Sequence, residues 1–207
     1  MPDVIVSTYD LASQALGRLA HRGNVRAPIV TFVIDPGAHP YWVSPHVLRH
    51  LVPTARTGEQ LRAYGAQGVE VVRPVLRPEF DVPPGRADAR AKLALPRTAH
   101  IVLVTAGSWA VGGVESTVRL LAKSPDLLVV VLCGRDEQLH EQLTGSERVL
   151  AVPWTTDAAA YLSAADVVVD NAGGLTCWEA LASRTPVLLF RPLPGHGRFN
   201  AATLAAA

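Results

Sequence analysis

The chain has 207 residues, 49% of them hydrophobic, and its 19 basic and 18 acidic side chains leave a formal charge of +1 at pH 7. That length holds one full domain or two small ones with a real core. The near-neutral charge gives no global attraction to nucleic acid, and the apolar content excludes extended disorder. Cys133 and Cys177 are too few for a disulfide framework and lack metal-ligand spacing, so they read as reduced thiols of a cytoplasmic protein. The start, Met1-Pro2-Asp3, carries no basic segment of a secretory signal. Apolar runs such as Leu127–Cys133 fall far short of the roughly 20 residues a spanning helix needs, so membrane association is expected to be peripheral.

Along the chain, short β-branched runs alternate with segments of helical period. Val4-Ile5-Val6 predicts a strand and Asp10–Leu19 a helix. Ile29–Ile34 reads as a buried strand, about Gly58–Tyr64 as a helix, and Val69–Val72 as another strand. From Pro74 to Pro96 the sequence fills with proline, glycine and charge, which predicts a linker at 81–96 between residues 1–80 and 97–207. Beyond it, strands are expected at Ile101–Thr105, Leu127–Cys133, Val149–Val152, Val167–Val169 and Val187–Phe190. Val114, Val118 and Leu121 supply the apolar stripe of the first intervening helix. Such alternation predicts two parallel-sheet α/β units. The first has only about three strand candidates where a sheet averages about 5–6, so it is expected to be incomplete, and the chain to be a fragment.

In parallel sheets, ligands bind where strand carboxyl ends feed helix N-termini. Two loops of that kind are glycine-rich here: Thr105–Gly113 and Asp170–Thr176. Glycine lets backbone N–H groups approach a phosphate, and the helix dipole favours an anion there. The alternative for either loop is a tight strand-to-helix turn. No Walker A or G-x-G-x-x-G pattern is present, and the absence of an Asp-x-Asp pair predicts a diphosphate held without a metal ion. Thr176 and Glu179 have capping-box spacing; Glu179 is either part of that cap or a carboxylate for vicinal ribose hydroxyls. Arg135, after Cys133-Gly134, is either a solvated helix-start residue or a phosphate contact. Asp35-Pro36-Gly37-Ala38-His39-Pro40-Tyr41-Trp42 follows a strand, and its Asp35 and His39 are the local candidates for acid–base work, His39 being otherwise a solvated loop residue. His46 and His50 have helical metal-pair spacing, but without a third ligand zinc is rejected. Ser108 lacks both the nucleophile-elbow pattern and triad partners.

Residues 170–182, followed by Pro194-Gly195-His196 and Asn200, closely resemble the donor-site segment of glycosyltransferase family 28. That family includes the peptidoglycan N-acetylglucosaminyltransferase MurG, monogalactosyldiacylglycerol synthases and processive diacylglycerol glucosyltransferases. Asp35–Trp42 looks most like the galactolipid synthases. The resemblance implies GT-B architecture, two Rossmann-like domains with the sugar nucleotide held mainly by the C-terminal one. It implies that Gly107 and Ser108 face the diphosphate, that Gly173, Gly174 and Leu175 line the nucleotide together with the flanking Asn171 and Thr176, and that Glu179 holds the ribose. It places His196 and Asn200 near the donor sugar or diphosphate, and Pro153 and Trp154 at the uracil. The implied activity is metal-independent transfer of a hexose from a UDP-sugar to a lipid or lipid-linked acceptor, with no further cofactor and with peripheral membrane contact. Two alternatives stand beside it: a non-catalytic donor-binding subunit completed by a partner chain, and a UDP-sugar epimerase. The chain departs from the family at His196-Gly197, where Gln or Glu is usual, and in lacking the first glycine-rich loop of the N-terminal domain.

Overall fold

A computed structural model describes the chain except for Met1, Ala106, Ser108–Ala110 and Ala207. The described residues form two compact units. Unit 1 comprises Met1–Val75, Ala172–Gly174 and Leu193–Ala207; unit 2 comprises Leu76–Asn171 and Leu175–Pro192.

Unit 1 is a four-stranded sheet in the order β1-β2-β3-β4, with all pairs parallel. Its strands are β1 (Ile5–Ser7), β2 (Ile29–Phe32), β3 (Arg49–Val52) and β4 (Val69–Val71). Helix α1 (Asp10–His21) and helix α2 (Ala55–Ala63) connect them, with Thr54 accepting from the Thr57 N–H as N-cap of α2. The sequence reading missed β3, whose Arg49-His50-Leu51-Val52 breaks the apolar run expected of a buried strand. His50 is only 2% exposed, and its Nδ1 pairs with the Gln67 carbonyl at 3.0 Å. Burial pushes its imidazole below the ordinary pKa range, against the opposing pull of the Gln67 carbonyl. The helical spacing of His46 and His50 does not correspond to a helix, since His46 sits in a turn with φ 65° and His50 in a strand. The core of unit 1 gathers Val33, Ala38, Trp42, Val52 and Leu61.

Unit 2 is a five-stranded parallel sheet in the order β7-β6-β5-β8-β9. Its strands are β5 (His100–Thr105), β6 (Leu127–Leu132), β7 (Val149–Val152), β8 (Val167–Asp170) and β9 (Val187–Leu189). Successive strands run outward on one side of β5 and then on the other, so β5 and β8 flank a topological switch point. Helices α4 (Val114–Leu121), α5 (Glu137–Leu143), α6 (Ala158–Ala164) and α7 (Leu175–Ala182) cover the sheet. Val114 and Val118 of the predicted stripe are buried, and Leu121 packs against the same cluster.

The expected linker is part of unit 2. Residues 81–96 contain helix α3 (Arg86–Lys92), whose Ala89 and Arg90 are buried. Arg90 donates to the Ala164 and Arg97 carbonyls and to Asp166. Phe80 and Leu95, on either side, enter the core. The prolines that suggested a linker start a 3-10 turn at Pro78 and precede α3; a fixed φ and a missing N–H cost nothing at such positions. The boundary therefore falls after Val75, and residues 97–207 are not one continuous domain. The last helix, α8 (His196–Leu204), belongs to unit 1.

Candidate functional site

The carboxyl edge of the unit 2 sheet is built at the switch point. Thr105, ending β5, donates its hydroxyl to Asp170 Oδ1 at 2.9 Å, and Asp170 ends β8. Both are buried. Asn171 then donates to the Val111 carbonyl at 2.8 Å, which fastens the loop after β8 to the glycine-rich loop after β5. Gly107, Gly112 and Gly113 all have positive φ, and Gly113 is the N-cap of α4. This is backbone that a side-chain-bearing residue enters only at a cost. Gly107 is exposed; Ser108 lies outside the described residues.

Further along the same edge, Arg135 stacks over the Trp154 ring at 4.7 Å, and Trp154 is 56% exposed. The guanidinium and the ring thus form one exposed surface beyond β6 and β7, with Pro153 exposed beside it. Beyond β9, Arg191 donates to Ser116 Oγ in the first turn of α4 at 2.7 Å. It makes no ion pair among the described residues. Sequence reasoning passed over this cation because Arg191 lies in a Pro-rich loop with no motif of its own.

Glu179 is buried inside α7, and Oε1 receives both Arg77 Nε and Nη2, at 3.3 and 3.2 Å. Burial pushes its carboxyl above the usual carboxylate range, and Arg77 pulls it part of the way back. The capping-box reading fails, because α7 already starts at Leu175 and places Thr176 within the first turn. Arg77 was hidden from sequence reasoning in the proline-rich stretch that opens at Pro74. Within α7, Cys177 is buried, with its thiol pushed well above the ordinary range by burial and by Asp170. Both cysteines are free.

Unit 1 assembles a second group of the expected residues. Asn200 is fully buried, and each of its amide atoms is engaged. Its Oδ1 accepts from the Gly37 N–H at 3.1 Å, while Nδ2 donates to Asp35 Oδ1 at 3.2 Å and to the Ala172 carbonyl at 3.1 Å. Gly174 lies against Asp35, so a Cβ there would stand 3.3 Å from Oδ1, and Gly173 is buried with φ 70°. Burial raises the Asp35 carboxyl above its ordinary pKa, against the opposing pull of Asn200, His196 and His39. His39 is buried among the rings of Tyr41, Trp42 and Phe199. Trp42 is a core residue at 2% exposure, whereas Tyr41 is 62% exposed. The expected donor-side residues are therefore divided. Gly107, Arg135, Pro153, Trp154, Asn171, Leu175, Thr176 and Glu179 lie in unit 2, and Gly173, Gly174, His196 and Asn200 join Asp35 and His39 in unit 1.

Among the described residues, no group of three or more His, Cys, Asp or Glu side chains could hold a metal ion, and no helix is long and apolar enough to cross a membrane.

Two parallel-sheet units with glycine-rich turns on the carboxyl edge define a Rossmann-like nucleotide-binding architecture of the GT-B kind. The profile of the Glycosyltransferase family 28 C-terminal domain matches residues 101–207, and that of Monogalactosyldiacylglycerol (MGDG) synthase matches residues 1–72. The chain belongs to glycosyltransferase family 28. It is 26% identical over 208 residues to a processive diacylglycerol beta-glucosyltransferase of Staphylococcus aureus (strain Newman), covering 97% of this chain and 53% of the relative. It thus spans about half the length of the curated relatives it matches. Among solved structures, Acinetobacter baumannii MurG aligns at TM-score 0.62 and 18% identity, over 99% of this chain and 57% of that one. Anabaena Alr3699/HepE in complex with UDP-glucose aligns at TM-score 0.57 and 15% identity, over 99% and 68%.

Proposed function

We propose that the chain binds a UDP-sugar on the carboxyl edge of unit 2 and serves transfer of the hexose to a lipid or lipid-linked acceptor. The observation that carries the reading is the switch point of a family 28 domain, where Thr105–Asp170 and Asn171–Val111 fix two glycine-rich turns. The α4 N-terminus and Arg191 supply positive potential for a diphosphate, and Arg135 on Trp154 offers a flat cationic surface to a base. Glu179, paired with Arg77, supplies a carboxylate for ribose hydroxyls. The acceptor hydroxyl attacks C1 of the sugar, the bond to the diphosphate breaks, and a base accepts the hydroxyl proton; Asp35 and His39 are the candidates. No resident cofactor or metal ion enters this scheme. The named relative, a processive diacylglycerol beta-glucosyltransferase, supports a lipid acceptor; peripheral membrane contact is part of the same proposal. A second reading is donor binding with the acceptor side supplied by a partner chain.

Calorimetric titration with UDP, GDP, dTDP and ADP tests the donor site, with Glu179→Ala as the control. Selective UDP binding that weakens in the variant is the expected result. Equal or absent binding of all four nucleotides would overturn it. Supply of UDP-glucose with diacylglycerol vesicles then separates the roles: glycolipid product marks the transferase, and binding without product marks the subunit. Free sugar released without an acceptor would mark an epimerase.

A further inference from the structure

The amino-terminal edge of the unit 2 sheet, opposite the glycine-rich turns, carries a cleft of its own. Helices α6 and α7 end there, at Ala164 and Ala182, shortly before β8 and β9 begin. Between those ends and the turn leading into α3 lies a space of about 490 Å³, within the size range of small-molecule sites. Its walls are residues 81–86 of the turn, Ser163 of α6, and Ala182, Ser183 and Arg184 at the end of α7. All of these belong to unit 2.

Two of the lining side chains are short of a partner. Ser163 is 3% exposed and Ser183 8%. Among the described residues, four buried side-chain polar atoms have no hydrogen bond, and the hydroxyls of Ser163 and Ser183 are two of them. Native folds leave few such groups, because burying an unpaired hydroxyl is destabilising. The carbonyls at both helix ends already have donors. Those of Leu162 and Ala164 receive Thr185 Oγ1 at 2.7 Å and Arg90 Nε at 2.9 Å. Those of Glu179, Ala180 and Leu181 receive the N–H groups of Ser183, Thr185 and Arg184. The helix ends therefore present little free negative potential to the cleft. Two guanidinium groups and two unpaired hydroxyls face one carboxylate, that of Asp81. Arg86 is partly engaged, with Nη1 3.1 Å from Asp166 Oδ1, whereas Arg184 makes no ion pair among the described residues.

We propose that this cleft binds a small organic phosphate monoester. The site is rich in donors and carries excess positive charge, which calls for a ligand with several acceptor oxygens and more than one negative charge. A phosphate monoester offers three such oxygens, where a carboxylate offers two. Turning about χ1 brings each serine hydroxyl to a phosphate oxygen. Arg184 adds charge-assisted hydrogen bonds, and Arg86 supplies the second positive charge. The volume exceeds what inorganic phosphate fills, and Val82, Pro83 and Pro84 give the organic part a rigid apolar wall. The site is separate from the donor turns at the carboxyl ends of β5 and β8 and does not depend on the transferase reading.

The test titrates the whole chain with glycerol 3-phosphate and with inorganic phosphate, each in the presence of excess UDP to fill the donor edge. Calorimetry reads affinity, and amide nitrogen-15 shifts read location. Glycerol 3-phosphate is expected to bind more tightly than inorganic phosphate, with shifts gathered at residues 82–86, 163 and 182–184. Arg184→Gly suits the left-handed backbone there, φ 58°, and should weaken binding at least about tenfold with the fold intact. The double variant Ser163→Ala, Ser183→Ala should weaken binding by a similar factor while raising the Tm of the ligand-free chain by about 2–4 °C. No binding of glycerol 3-phosphate, shifts confined to other residues, or wild-type affinity in either variant would overturn the proposal. A lowered Tm in the double variant would also overturn it, by showing that the hydroxyls are satisfied within the fold. Failure of UDP to bind would count against the donor reading alone, since the shifts still locate the second site.

Discussion

The isosteric change Asn200→Asp replaces an amide that donates two hydrogen bonds with a second carboxyl facing Asp35. The lost Nδ2 stood 3.2 Å from Asp35 Oδ1 and 3.1 Å from the Ala172 carbonyl. Two carboxylates at that separation repel by about 5 kcal/mol at an effective dielectric of roughly 20. Keeping one proton at pH 7 on a carboxyl of ordinary pKa near 4 costs about 4 kcal/mol, at roughly 1.4 kcal/mol for each pH unit. Retaining the proton is the cheaper course, and burial of Asp35 already favours it. The variant should therefore be destabilised at pH 7 by about 2–4 kcal/mol. In the window between the ordinary carboxylate pKa and the raised one, the folded variant binds more protons than the unfolded chain. Its stability must then fall as pH rises through that window and return as pH is lowered. Urea denaturation at several pH values, read as the difference from wild type above the range in which Asp35 itself titrates, should give a slope of roughly 1.4 kcal/mol per pH unit. A difference below about 0.5 kcal/mol, or one independent of pH, would refute the view that Asn200 is fully engaged inside unit 1.

Gly37→Ala should cost about 2–3 kcal/mol by urea denaturation, because the added Cβ would lie 2.6 Å from the Phe199 carbonyl oxygen and 2.9 Å from Thr203 Oγ1. A variant as stable as wild type would show that α8 does not pack so closely. Asp166→Asn removes the carboxylate that receives Arg90, Arg86 and the Ile101 N–H. Arg90 is 5% exposed, so its charge is left without a counter-ion, at about 2–4 kcal/mol after allowing for the part-exposed Asp166. Thermal denaturation checks this, and an unchanged midpoint would count against it. Arg77→Met should raise the Glu179 carboxyl further, at a cost of about 1–2 kcal/mol near neutrality because Arg77 is half-exposed. That loss should shrink as pH falls through the raised Glu179 pKa, so chemical denaturation at pH 5 and pH 7 reads its sign.

Most of the sheet skeleton was legible because parallel strands buried on both faces write themselves as unbroken β-branched runs, as in His100–Thr105 and Leu127–Leu132. β3 was not, because the Gln67 carbonyl partners His50 in the fold and no sequence pattern announces such a bond. The glycine-bearing turns after β5 and β8 were legible from the sequence. The division of site residues was not, because a contact such as Asn200 to Gly37 spans 163 positions. Arg77 falls in the same class, an ordinary surface-type residue whose partner Glu179 lies 102 positions away.

The return of the chain to unit 1 after Pro192 bears on the order of assembly. As the polypeptide is synthesised from its N-terminus, the turn carrying Asp35 emerges long before the amide that fastens it. Until α8 follows, the Gly37 N–H must remain in water or unpaired. Nearly all of unit 2 is contiguous and can form in the meantime, while unit 1 waits for a loop closure of high contact order. Shortening the C-terminus by a single helix should therefore be felt first near residue 37, at the other end of the sequence.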